Sequence, residues 1–338
     1  MKVIQGFGPK DLRLVEAPEP HPGEGQVLVA VRANGICGSD KGYYIKGTVG
    51  RVAGHEVAGE VVSLGPGIRR LRVGDHVAIN NVVGCGHCAA CRAGEFVLCP
   101  TRPGKDIFSG YGELLVAPES NCLQLSSRIS FDAGCLIIDN WGTPFSALER
   151  AKVAPGDDVL VSGCGPIGLA TVALAKQRGA YVIAVDPLQY RLDAATRLGA
   201  DAVLKPGDAV PLAAHDLTSG AGVRVVMECS GKTPAYQPAL ESLRLGGTFV
   251  AIGEGAQFDF RPSDLLIRNH LTIMGSWYST MRQAQLIQDL VLQGQIDATA
   301  FVSHRIPLSA LPQFFATVCS FEDNVLKAIV LMPPSSGI

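Results

Sequence analysis

The sequence predicts an α/β chain of two domains, a barrel-like β domain followed by a doubly wound parallel sheet. Three observations carry that expectation. Short β-branched runs between Gly/Pro turns fill residues 1 to about 130, and strand and helix patterns alternate from about 145 onward. The first strand of that alternation runs into a G-x-G-x-x-G turn. At 338 residues the chain has room for two domains, and 47% hydrophobic against 18% charged residues describes a large packed core. A formal net charge of -2 leaves no basic face for nucleic acid. No apolar run reaches the roughly 18 residues a membrane span needs. The N-terminal MKVIQGFGPK lacks the charged region and apolar core of a signal peptide, so a cytoplasmic chain is expected.

In chain order, 27–31, 57–62 and 76–79 read as strands bounded by Pro22-Gly23, Gly65-Pro66-Gly67 and Gly74-Asp75. The loops carry Cys37-Gly38-Ser39-Asp40, then Gly54-His55-Glu56, then residues 84–99, GCGHCAACRAGEFVLC. Cys85, Cys88, Cys91 and Cys99 stand in a C-x2-C-x2-C-x7-C spacing, and Gly86, Ala89 and Ala90 let the thiolates converge. Four sulfur ligands with no open position suit a closed, structural zinc site. The rival is a disulfide knot, which belongs to short secreted domains. Cys37, Cys122, Cys135, Cys164, Cys229 and Cys319 are scattered singly, as in a reducing compartment.

Past about 145, a strand over 157–162 enters Gly163-Cys164-Gly165-Pro166-Ile167-Gly168, followed by a helix over 169–177 and a strand over 181–185 ending at Asp186. Helices over 191–198, 235–243 and 263–268 then alternate with strands over 223–227, 248–252 and 271–274. A helix over 281–292 follows. After about 300 come a loop, a helix, a last strand over 327–331 and a tail, 333–337, that reads as mobile. Gly163 permits the tight turn, Gly165 lets a pyrophosphate approach, and Gly168 lets helix and strand pack closely. The phosphates then face the N-terminus of that helix, with Pro166 and Ile167 of the turn counted among the cofactor contacts. Asp186 is placed to accept from both ribose hydroxyls of NAD, and its charge disfavours a 2′-phosphate, so NAD is expected over NADP. Arg191 either flanks the adenosine ribose or is an exposed helix arginine. Ile252, at the end of its strand, is counted with the cofactor contacts.

Taken singly, Cys37, His55 and Glu56 are ordinary residues. The order C-G-S-D, G-H-E, four-cysteine lobe and G-x-G-x-x-G nevertheless resembles the zinc-dependent medium-chain alcohol dehydrogenases, closest to the sorbitol and polyol dehydrogenase branch, over nearly the whole chain. The resemblance implies a GroES-like catalytic domain over 1–144 with its zinc lobe at about 84–100. A Rossmann NAD-binding domain over 145–295 and a C-terminal return over 296–338 complete it. Cys37 and His55 would bind a catalytic zinc, with Glu56 a third ligand or a close neighbour. Counting back from Phe145-Ser146-Ala147-Leu148 puts Asp139 at the fourth position, bound directly or through a water. Ser39 matches the hydroxyl that takes the substrate proton, and Gly42 stands where a histidine commonly ends that relay. Tyr43 matches a pocket tyrosine, with Tyr44 a neighbour that could serve instead. Thr143 matches a residue packed on the nicotinamide. Lys327 matches a basic residue approaching the pyrophosphate, or else is a solvated strand-edge lysine.

Polyol dehydrogenases often carry an arginine where this chain reads Gly275-Ser276-Trp277-Tyr278-Ser279, with none until Arg282. Trp277 lines the pocket or packs at a subunit interface. The implied cofactors are NAD and two zinc ions per chain, one catalytic and one structural, in a homodimer or homotetramer. The implied reaction is reversible oxidation of a secondary hydroxyl of a polyol, sugar or cyclitol to a ketone. A simple alcohol, aldehyde or amino alcohol is the alternative substrate, and a non-catalytic NAD- and zinc-binding homologue is the rival from another class.

Overall fold

The computed structural model describes residues 1–332 apart from 52–53, 105, 208 and 321, so the 333–337 tail lies outside the described residues. The chain forms two compact units, Met1–Asp139 with Ser279–Ile338, and Asn140–Tyr278. In the first, a seven-stranded sheet runs in the order Val302–Pro307, Lys327–Leu331, Gln26–Gly35, Glu56–Leu64, His76–Ile79, Cys122–Gln124, with Leu114–Pro118 also paired to Gln26–Gly35. Gln26–Gly35 is the organising strand. Its sequence QVLVAVRANG is apolar on both faces and almost wholly buried, unlike a one-sided strand that alternates. Two register shifts along it, at Leu28/Val29 and Val31/Ala33, bend the strand. One flank of its first half then pairs with Leu114–Pro118, and the same flank of its last residues with Lys327–Leu331. The core beneath it includes Val29, Val31, Val57, Val77, Tyr111 and Phe315, the last from the helix Leu311–Ser320. A small sheet of Asp11–Glu16, Lys2–Gly8 and Gly50–Arg51 adjoins. The sequence reading missed its strands because Gly6 and Gly8 resemble turn residues.

The second unit carries a six-stranded parallel sheet in the order Ala202–Leu204, Tyr181–Val185, Asp158–Ser162, Val223–Glu228, Leu243–Ala251, Thr272–Gly275. The chain winds outward both ways from Asp158–Ser162, which makes the switch point of a doubly wound fold beside that strand's C-terminal end. Two elements escaped the sequence reading. Ala202–Leu204 is only three residues long and half-buried, and the helix Ala209–Leu217 carries Pro211 in its first turn.

The unit boundaries differ from those expected. The first crossing falls at 139/140 rather than 144/145, and the return falls at Ser279 rather than 296. The helix Met281–Leu292 belongs to the first unit because its polar groups are tied there. Met281 N donates to Gly94 O, Ser126 N donates to Gln288 Oε1, and Gln288 Nε2 donates to Gln124 O. A capping box of Thr280 and Gln283 starts the helix, and Ser279 Oγ donates to Ile138 O just ahead of it.

Candidate active site

Three separate stretches of the first unit bring the candidate ligands together. Cys37 follows the strand Gln26–Gly35, His55 precedes and Glu56 opens the strand Glu56–Leu64, and Asp139 lies in the irregular helical turn Ile137–Trp141. One potential ligand atom from each of Cys37, His55, Glu56 and Asp139 falls within 4.8 Å of every other. His55 Nε2 lies 3.1 Å from Asp139 Oδ2. Two nitrogen or oxygen ligands of one tetrahedral zinc lie about 3.3 Å apart, given bond lengths of about 2.0–2.1 Å. The mixed thiolate, imidazole and carboxylate donors are those zinc accepts. The residues therefore fit a zinc ion. Gly35 is a glycine for a local reason: a Cβ there would sit 2.0 Å from Glu56 Oε2.

The surrounding charges are arranged as tightly as the ligands. Lys327 Nζ lies 2.7 Å from Glu56 Oε1 and 2.6 Å from Oε2, and donates to Ile36 O at 2.9 Å. The lysine is only 1% exposed, so it is not the solvated strand-edge residue considered from sequence, and its ammonium is committed to Glu56 rather than free for a pyrophosphate. Burial is the largest influence and opposes its charge, but the Glu56 carboxylate together with the Cys37 and Asp139 charges outweighs it and holds the ammonium above its ordinary value. For His55, burial again opposes the charged form. The charge of Cys37, the hydrogen bond to Asp139 and the close approach of Asp40 and Cys37 prevail and hold the imidazole well above its usual range.

Two residues behind the ligands were not singled out in the sequence. Asp40, fully buried, accepts from Cys37 N (2.9 Å) and from the Tyr111 hydroxyl (2.6 Å), and its other oxygen faces His55 Nδ1 at 3.6 Å. Burial, then the neighbouring Asp40 charge, raises the Tyr111 phenol well above its usual value, so it stays a donor. Asp40 was legible in C-G-S-D; Tyr111, 71 residues away, had no local signal. Phe108 was also missed, and its ring stands edge-on to His55 (6.1 Å) and 6.4 Å from Tyr43. Tyr43 is half-buried, whereas Tyr44 is buried in the core and stacked on Phe315, which removes it as a pocket residue. Ser39 is exposed at the start of the helix Asp40–Lys46 and makes no side-chain cap bond, and a Cβ on Gly42 would meet nothing within 4 Å.

In the cysteine lobe all four sulfurs lie within 4.8 Å of one another, and Cys85 and Cys91 Sγ are 3.9 Å apart. Tetrahedral zinc with Zn–S bonds of about 2.3 Å separates its sulfurs by about 3.8 Å. All four cysteines are free thiols, so the disulfide rival falls. Backbone donation from His87 and the Thr101 hydroxyl hold the Cys85 thiol down at about 5, and burial pushes Cys91 up to about 12. The short helix Ala89–Arg92 starts at Cys88, whose sulfur accepts from Cys91 N.

In the second unit, Gly163 has φ +93°, and a Cβ there would meet Ser230 at 2.8 Å. A Cβ on Gly168 would lie 1.8 Å from Gly163 O, yet one on Gly165 would meet nothing within 4 Å. The glycine turn is thus closed behind and open in front. Gly165 caps the helix Pro166–Gln177, and Ile167 lies in its first turn. Asp186 is buried, with Oδ2 accepting from Cys164 N (2.8 Å) and Oδ1 from Leu188 N (2.9 Å). Arg191 approaches it at 3.6 Å and is mostly buried, not an exposed helix arginine. Thr143 is buried in the first turn of the helix Gly142–Arg150, and half-buried Ile252 donates its N–H to Glu228 O. Trp277 is 46% exposed on this unit.

Comparison with known proteins matches residues 23–127 to the alcohol dehydrogenase GroES-like domain and residues 166–292 to the zinc-binding dehydrogenase family. The chain is 32% identical to an L-threonine 3-dehydrogenase of Pyrococcus horikoshii over 90% of each protein. It is 30% identical to the sorbitol dehydrogenase of Bacillus subtilis strain 168, over 98% of this chain and 97% of that one. Among solved structures it is similar to the alcohol dehydrogenase TADH from Thermus sp. ATN1, with a TM-score of 0.88 and 27% identity, covering 98% of this chain and 100% of that one.

Proposed function

The chain belongs to the zinc-dependent medium-chain alcohol dehydrogenase family, and from that premise we propose that it oxidises a secondary hydroxyl of a polyol, sugar or cyclitol to a ketone, reversibly, with NAD. The observation that carries the reading is the buried convergence of Cys37, His55, Glu56 and Asp139 within 4.8 Å. When bound, zinc supplies a Lewis acid that acidifies a substrate hydroxyl, and NAD supplies the hydride acceptor. Cys37, His55 and Asp139 would hold the ion. Glu56, ion-paired to Lys327, would be either the fourth ligand or a neighbouring charge already balanced.

Ser39 would take the hydroxyl proton and pass it to water, because its side chain is exposed and Gly42 provides no onward group. Tyr43 and Phe108 would pack along the carbon skeleton and keep water from its reacting face. In the second unit the open face at Gly165 and the N-terminus of Pro166–Gln177 would receive the pyrophosphate. Asp186 would accept from the ribose with the lone pairs its backbone partners leave. The four-cysteine lobe would hold the second zinc in a closed, structural role. A homodimer or homotetramer is proposed with it.

The likeness to sorbitol dehydrogenase supports a polyol, and the likeness to L-threonine 3-dehydrogenase supports an amino alcohol as the second reading. NAD reduction read by NADH absorbance across linear polyols, aldoses, cyclitols, simple alcohols and β-hydroxy amino acids separates them. Turnover confined to polyols, sugars or cyclitols and abolished by Cys37→Ser is the expected result. Preference for a β-hydroxy amino acid or a simple alcohol would refute the substrate class, and tight NAD binding without any turnover would refute the reaction.

A further inference from the structure

We propose that Tyr111 is a positioning residue for the metal centre, its hydroxyl fixing Asp40 where Asp40 holds the backbone of one candidate zinc ligand, Cys37, and sets its other oxygen beside the ring of a second, His55. The inference rests on the dehydrogenase reading above and extends it to a residue that touches neither substrate nor cofactor. The Tyr111 hydroxyl donates to Asp40 Oδ2 at 2.6 Å, and the same oxygen accepts from Cys37 N at 2.9 Å. The other carboxylate oxygen stands 3.6 Å from His55 Nδ1. One buried carboxylate therefore holds the backbone that carries the Cys37 thiol and faces the ring nitrogen that fixes the tautomer and orientation of His55. Without the phenol, Asp40 loses the hydroxyl holding that oxygen and is freer to turn about its own χ angles, which loosens the Cys37 backbone and shifts the charge beside the His55 ring.

The local sequence is built around this contact. A Cβ on Gly54 would lie 2.9 Å from both Cγ and N of Tyr111, so the glycine of Gly54-His55-Glu56 makes room for the ring. Gly110, next to Tyr111, would place a Cβ 2.1 Å from Asn34 Oδ1, and its N–H donates to Gly54 O at 2.8 Å. The loop that carries His55 and the loop that carries Tyr111 are locked backbone to backbone. The ring itself is held by other means, edge-on to Phe315 with centroids 6.0 Å apart, and by Tyr111 O accepting from Ile4 N. Tyr111→Phe thus keeps the packing and deletes only the donor.

The test follows zinc release from the full, metal-loaded chain against a graded chelator, with Cys37→Ser identifying the step that belongs to the catalytic site. Tyr111→Phe should weaken zinc in that step by about 10–100-fold and leave the four-cysteine step unmoved. Added to Asp40→Asn, Tyr111→Phe should cost little more, because it acts through Asp40. An unchanged catalytic step, with only a lower melting temperature, would overturn the proposal by showing that the phenol merely stabilises the fold. So would losses from the two substitutions that multiply. If Cys37→Ser alters neither step, the dehydrogenase reading itself falls, and this inference falls with it.

Discussion

Replacing Lys327 by Met tests how the candidate site is held together. The thioether chain has nearly the length of the lysine stem, so packing is kept while the ammonium is lost. Burial already raises the Glu56 carboxyl above its ordinary value despite the ammonium, so Glu56, 2% exposed with its two oxygens 2.7 and 2.6 Å from Nζ, would then have either to stay charged without that partner or to take up a proton. Stripping one partner from a buried ion pair costs about 3–5 kcal/mol, because the remaining charge is left neither solvated nor neutralised. The Ile36 carbonyl, which accepts from Nζ at 2.9 Å, loses its donor within the same figure. Urea unfolding at pH 7, followed by circular dichroism, should show a loss of that size. Lys327→Met combined with Glu56→Gln should recover at least half of it, since a neutral amide needs no counter-charge. The single variant should also regain stability on acidification, as Glu56 becomes free to bind a proton. An exposed strand-edge lysine would give a change within about 0.5 kcal/mol. A loss below about 1 kcal/mol, or a double variant no more stable than the single, would refute the reasoning.

The glycine turn and a surface carboxylate give two further expectations. Gly165→Ala should leave stability within about 0.5 kcal/mol of wild type, because its Cβ meets nothing, but should raise the dissociation constant for NAD. Gly168→Ala should instead destabilise the second unit, because its Cβ lands 1.8 Å from Gly163 O; thermal unfolding beside an NAD titration separates the two. Glu119 Oε1 accepts from the backbone N–H groups of Arg69, Arg70 and Leu71. Burial works against its charge, but those donors prevail and lower its pKa below 4.5. A depressed carboxyl contributes stability that is present above its unfolded value and lost as pH falls through its folded value. Glu119→Gln should therefore flatten the decline in stability below about pH 4.5 seen by urea unfolding, and an unaltered slope would remove Glu119 from the account.

The parts of this protein that were legible in sequence are those whose physics is local. A strand running into Gly163, Gly165 and Gly168 announces itself because turn, anion approach and helix packing all act within six residues. The four cysteines are legible for the same reason, since the loop of 84–99 closes on itself. Elements failed where the local signal was short, as in Ala202–Leu204, or interrupted, as in the Pro-bearing helix Ala209–Leu217. The boundary at Ser279 failed for another cause. The helix Met281–Leu292 looks like one more helix of the alternation, and only its bonds to Gly94, Gln124 and Ser126 assign it to the first unit.

The same division runs through the candidate site and explains what kind of residue was missed. Ligand residues must be of particular chemical types, so Cys37, His55 and Glu56, ordinary singly, stand out once their motifs are taken together in chain order. The groups that hold them need only be complementary to something far along the chain. Lys327 meets Glu56 across 271 residues, and Tyr111 meets Asp40 across 71. Neither pairing leaves a spacing or a period, so a lysine at a strand start reads as solvated and a tyrosine between glycines reads as a loop residue. Their roles follow from burial, because a charge or a phenol fully removed from water must find a partner. For Lys327 and Tyr111 those partners are the carboxylates Glu56 and Asp40 of the candidate site. Tyr111 and Lys327 are two such groups, and each ends on a carboxylate that lies beside, or within, the cluster of Cys37, His55, Glu56 and Asp139.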